Sequence, residues 1–298
     1  MKKKLTVLVL CAMLLALCYS ASAQQPGKVF RIGFLDGGTA AGSADLVKVF
    51  LRELSKLGWI EGKNIAIEYR FVEGKPERRA ELAADLVRLK VDLIVVTAGT
   101  SALAAKKATT TIPIVMTSSG DPVGAGLVAS LARPGGNVTG LSGLAVELNT
   151  KRLEILKDAV PKLARVGLLR PRGDSIPQDL QLKELRVAAV ALKLKLEEID
   201  AQPDAKGLES AFQAAKQKHV GAIMTTASRT FLGEKNRIVE LAVKYRLPAI
   251  YPEKEFVDEG GLMYYGADST DRYRHAAVYV DKILKGAKPA DLPVQQAT

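Results

Sequence analysis

The chain has little of what enzymes commonly use. Its 298 residues contain two cysteines, two histidines and one tryptophan, and aromatic residues make up only 5%. Both cysteines, Cys11 and Cys18, fall near the amino terminus, so the body of the chain can form neither a disulfide nor a thiolate metal site. Its stability must come from its core. His219 and His275 are read as surface residues rather than as parts of a metal or catalytic cluster. No phosphate loop of the G-x-x-x-x-G-K-[ST] type occurs. Gly140-Leu141-Ser142-Gly143 falls one residue short of the G-x-S-x-G nucleophile elbow. Gly124 to Ala129 (GAGLVA) fits a dinucleotide fingerprint by letter, yet Ser118 to Val123 separate it from the preceding strand, and no acidic residue follows at the required distance. No cofactor and no metal are therefore expected. The longest apolar run, Leu5 to Leu17, is shorter than the roughly 20 residues a spanning helix needs.

That run has a different meaning. Lys2-Lys3-Lys4 precede it and Ala21-Ser22-Ala23 follow it, the three parts of an export signal with cleavage after Ala23. Cys18 would suit a lipoprotein, but Leu17 stands where a small residue is wanted. The expectation is a soluble exported protein, residues 1–23 being its signal peptide. A formal net charge of +11 is spread over many helices without an arginine stripe interleaved with aromatics, so nucleic acid is not expected as a partner.

The stretch Val91 to Asp121 reads as strand, glycine-bearing turn, helix, strand and polar turn. Strands as uniformly apolar as VDLIVV and IPIVM belong in a parallel sheet covered on both faces, and a helical crossover makes them parallel. Thr97-Ala98-Gly99-Thr100-Ser101 and Ser118-Ser119-Gly120-Asp121 then share the carboxyl edge of the sheet, where open α/β sheets bind ligands. The helix starting there has free N–H groups that suit a carboxylate or phosphate. Before this stretch come a strand at Val29 to Leu35, a helix over about Ser43 to Leu57, a strand at Asn64 to Val72 and a helix opening at Pro76. After it, a short helix is expected around Gly126 to Leu131 and a strand at Asn137 to Leu141. From Arg165 a second alternation of strands and helices runs to LPAIY, and Ser269 to Lys285 forms a long final helix. The turn aspartates Asp36, Asp121 and Asp268 are read as ligand acceptors in preference to an acid–base pair.

Four segments carry a resemblance: LRELSKLGWIEGKNIAIEYR, TTTIPIVMTSSGDPVGAGLVASLARPGGNVTGLS, ELAVKYRLPAIYPEKEFVDEGGLMYYG and YVDKILKGAKPADLPV. They resemble the bacterial ABC-transporter substrate-binding family that includes tryptophan- and tyrosine-binding lipoproteins, of the type I periplasmic binding protein fold. The resemblance implies an α/β protein of two doubly wound parallel-sheet lobes joined by a hinge, which captures a small amino-acid-like or aromatic carboxylate solute for a membrane permease. It implies no catalysis. It places the first lobe at 28–144 and 258–286 and the second at 145–257, with hinge crossings at Ser142 to Glu147 and Glu255 to Gly261. Residues 287–298 are read as a tail or as the cut-short start of a return to the second lobe, because the family continues with a strand and helix beyond Thr298. Ligand contacts carried over by position are Asp36, Thr97, Gly99, Thr100, Ser119 and Asp121 from the first lobe, Thr226 and Tyr251 from the second, and Asp268 from the return. One departure is the basic loop Arg170-Pro171-Arg172-Gly173-Asp174, where an Asn-Pro pair is expected. A monomer is expected. Alternative readings are a sensory ligand-binding subunit and a hydrolase using the turn aspartates.

Overall fold

The computed structural model describes residues 28–143, 145–172 and 179–297; the expected signal segment with Cys11, Cys18 and Ala23, and the Gly173-Asp174 end of the basic loop, lie outside them. The first half alternates β1 (Phe30–Asp36), α1 (Ala40–Lys56), β2 (Ile65–Phe71), α2 (Arg79–Arg88), β3 (Leu93–Val96), α3 (Gly99–Ala108), β4 (Ile114–Met116) and β5 (Val138–Gly143). The second runs α4 (Ala145–Ala159), β6 (Arg165–Pro171), α5 (Asp179–Ala191), β7 (Lys195–Ala201), α6 (Ala205–Gln217), β8 (Ala222–Thr225), α7 (Arg229–Gly233), α8 (Lys235–Lys244), β9 (Ala249–Tyr251), α9 (Glu255–Asp258) and β10 (Met263–Tyr264). The chain ends with α10 (Ser269–Leu284) and β11 (Gln295–Ala297).

Two all-parallel sheets result, ordered β11-β5-β4-β3-β1-β2 and β10-β9-β8-β6-β7. The local causes are plain in the sequence. β3 is four consecutive apolar residues, all buried, as a central strand covered on both faces requires. Thr39, Asp204 and Asp268 cap α1, α6 and α10, each side chain accepting a backbone N–H of the first turn. Leu46, Phe50 and Leu54 put one stripe of α1 against Phe34 and Ile65 in the core.

Three sequence expectations are corrected. Residues 287–297 do not return to the second lobe: β11 pairs with β5 in the first sheet, Thr139 Oγ1 donates to the Leu292 carbonyl at 2.6 Å, and Val294 is buried in the first lobe's core. The second crossing is not at Glu255 to Gly261. Those residues form α9 and the turn after it, Gly260 sits at φ +94°, and β10 still pairs with β9, so the chain leaves the second lobe only after Tyr265. Gly266 fits that crossing because a Cβ there would stand 1.9 Å from the Pro252 carbonyl oxygen. The helix expected at Gly126 to Leu131 is instead a series of turns; Gly126 is left-handed at φ +67°.

A similar close approach sets β5. Gly140 lies at φ +123°, opposite Met116, and a Cβ there would meet the Met116 carbonyl oxygen at 2.3 Å. Both the dihedral and the backbone contact forbid a side chain. Gly140→Ala is expected to cost about 3 kcal/mol or more of stability, read as a lowered midpoint in urea; an unchanged midpoint would mean that β5 does not run this close to β4.

Candidate functional site

The carboxyl edges of the two sheets face each other across a cleft that encloses a cavity of 180 Å³. On the first lobe it is lined by Thr97 at the end of β3, by Gly99 and Thr100 at the start of α3, and by Ser118 and Ser119 after β4. No side chain caps α3: Ala98 is its N-cap, so its first N–H groups are left for another acceptor. On the second lobe the wall is Asn149 and Arg152 of α4, Arg170 of β6, the segment Thr226 to Thr230, and Pro252 and Glu253 after β9. Arg272 of α10 also lines it, and Leu148, Leu168, Leu182 and Leu185 supply apolar lining.

The charges in this wall are not all balanced. Arg170 pairs with Glu198 and Asp200 at 3.2 and 2.7 Å. Arg229 reaches out of the second lobe into a socket on the first: its Nη2 donates to Ser43 Oγ at 3.0 Å, and its Nε lies 3.7 Å from Asp36 Oδ1. Arg152 has only neutral partners. Its Nη1 donates to the Tyr265 carbonyl at 2.8 Å, its Nη2 to Asn149 Oδ1, and its Nε to nothing, although the side chain is buried. Burial pulls its guanidinium down to about 10, against the attraction of Glu253, which leaves it charged at neutral pH. Arg272 is likewise lowered by burial, and its Nη2 donates to Ser269 Oγ at 2.7 Å. Glu253 is 6% exposed, its Oε2 has no partner, and burial pushes its carboxyl up to about 7 in spite of Arg272, Arg152 and Arg229 around it.

Of the nine residues singled out in the sequence, the cleft brings together Thr97, Gly99, Thr100, Ser119 and Thr226. The other four have local work. Asp36 is fully buried beneath the Arg229 socket, where its Oδ1 also accepts the Gly38 N–H at 2.7 Å. Asp121 accepts the Gly124 N–H at 2.8 Å and holds the turn there. Asp268 caps α10 through Thr270 N–H at 2.7 Å. Tyr251 points into the second lobe's core, stacked on Phe256 with ring centroids 4.6 Å apart. Glu253, two residues beyond Tyr251, is the one that faces the cleft. Sequence reasoning missed Glu253, Arg152, Arg229 and Arg272. The strand-end rule, applied to the turn after LPAIY, reaches Glu253 two residues past the carried-over Tyr251, but the arginines sit in helices among many other cations and have no local signal. Among the described residues no cluster of metal ligands occurs, and no helix is long and apolar enough to cross a membrane. His275 pairs with Asp271 at 3.2 Å on the exposed side of α10.

Residues 41–298 match the family model of ABC transporter substrate binding proteins. A curated relative, the tyrosine-binding protein of Clostridioides difficile (strain R20291), is 29% identical over 255 residues, covering 83% of this chain and 70% of the relative. Two solved structures are each 26% identical. The domain from Streptococcus pneumonia in complex with L-Trp covers 91% of this chain and 90% of its own, with a TM-score of 0.81. The ligand-free, open structure of a substrate binding protein with adhesive properties from Clostridium difficile covers 90% of each, with a TM-score of 0.60. At equal identity and near-equal coverage, the chain as a whole superposes better on the liganded relative than on the open one. The Arg229 socket spans the two lobes.

Proposed function

The chain belongs to the family of ABC transporter substrate binding proteins, and from that premise we propose that its cleft captures a small organic carboxylate for handover to a membrane permease. This is a family of receptors, not of enzymes, and its members are exported. The observation that carries the reading is the pairing of an uncapped helix start on one wall with a buried guanidinium on the other, Arg152, which has no ion pair within contact distance among the described residues and an Nε without a partner. Burying a charge without a counter-ion costs several kcal/mol, and a bound carboxylate offsets that cost. The relatives named for tyrosine and for L-Trp carry such a group, and the 180 Å³ cavity limits the solute to a small molecule. The leader is removed after Ala23 and the mature protein acts as a periplasmic monomer; intact mass of the exported chain, beginning at Gln24, tests the first point.

The helix start gives a direct test. Thr100→Pro removes one of the free N–H groups of α3 while proline remains compatible with a first helical turn. Affinity for the bound acid is expected to fall about tenfold with little change in stability. Equal affinity by calorimetry would move the carboxylate away from α3.

A further inference from the structure

Resting on the carboxylate reading above, we propose that the cleft is built for a solute with two anionic groups, a dicarboxylate, one group at the start of α3 and the second on the wall where Arg152 and Arg272 flank Glu253. The second pole is a built site, not a helix end alone. Arg152 is 2% exposed and lines the cleft with an unpartnered Nε. Arg272 lines it from α10, on the other side of the Gly266 crossing, and neither guanidinium has an ion pair among the described residues. Of the other cleft arginines, Arg229 is held by Asp36 and Ser43 and Arg170 by Glu198 and Asp200, while Arg79 of α2 lines the first lobe's side.

An amino-acid zwitterion fits this pole poorly. Its ammonium would need Glu253, the carboxylate of the wall, and Glu253 feels Arg272, Arg152 and Arg229 at once, with only Glu255 adding negative charge. A further cation placed there meets three guanidinium groups in a desolvated space. A second carboxylate instead pairs with two of them, and Glu253 in its protonated form donates a hydrogen bond to it in place of repelling it.

The test uses the mature chain and the straight-chain diacids from oxalate to adipate, each paired with the monoacid of equal length, beside L-tyrosine and L-tryptophan. At least one diacid is expected to bind about tenfold or more tighter than its monoacid. Arg272→Gln and Arg152→Gln should each bring that ratio towards one, while Glu253→Gln should retain or tighten diacid binding. Should the arginine variants fold poorly, the diacid-to-monoacid ratio in the unaltered protein still decides. Binding of monoacids or of the two amino acids with the diacids silent overturns the dicarboxylate assignment and leaves the receptor reading standing, as does loss of amino-acid binding in Glu253→Gln. No response to any acid overturns both.

Discussion

Arg229→Ala is expected to lower solute affinity about a hundredfold or more by opening the cleft, without unfolding either lobe. With the lobes as they stand Asp36 is fully buried, and Arg229 is its ion-pair partner among the described residues. Removing one member of a buried pair costs about 3–5 kcal/mol, because the other charge is left uncompensated. The pair forms across the lobes, so this cost falls on closure; separation of the lobes returns Asp36 to water. Ser43 loses its donor as well, and the close seating of the Arg229 carbonyl over Gly38, where a Cβ would stand 3.0 Å away, is loosened. Asp36→Asn leaves the opposite charge stranded and should behave alike. Combining Asp36→Asn with Arg229→Ala is expected to recover part of the loss, a coupling that calorimetric affinities of the four proteins measure directly. Additive losses would show that the two residues do not act as a pair.

Glu253→Gln is expected to stabilise the solute-free protein at pH 8 by about 3 kcal/mol while changing little at pH 4. Burial pushes the Glu253 carboxyl up to about 7, with Arg272, Arg152 and Arg229 pulling it down and Glu255 pushing it further up. The folded protein thus holds a proton that the unfolded chain releases above about 4.5. Between these two values the native state binds more protons, so stability falls as pH rises from 4.5 to 7 and then levels off. Glutamine keeps the shape and cannot ionise, so the slope in that window should vanish. Urea unfolding at several pH values reads it; an unchanged slope in Glu253→Gln would assign the pH dependence to another group.

Much of the fold was legible because its signals are local. The apolar runs of β3 and β4 and the cap residues Thr39, Asp204 and Asp268 each act within a few residues, so both parallel sheets could be anticipated. The failures were of long range. Whether QQA adds to the first sheet or starts a return to the second depends on β5 having an open edge, which no property of residues 287–298 reveals. Gly260-Gly261 and Gly266 look alike as breaks, yet only the second must pass beside the Pro252 backbone at a crossing. The site divides in the same way. Thr97, Gly99, Thr100 and Ser119 reach the cleft by the rule that open sheets bind ligands at their strand ends, and Thr226 lines it as the resemblance implies. Asp36, Asp121 and Asp268 do not, since a turn aspartate that holds its own backbone reads the same as one aimed at a solute. Arg152, Arg229 and Arg272 acquire their role from burial, a property of the folded whole.

Closure of two lobes around an acid is the central claim, and small-angle X-ray scattering of the mature protein with and without the tightest-binding acid tests it most directly. A smaller radius of gyration with the acid, no such change in Arg229→Ala, and recovery of the acid chemically unaltered are the results expected of a receptor. An identical radius of gyration with the acid bound would contradict the account.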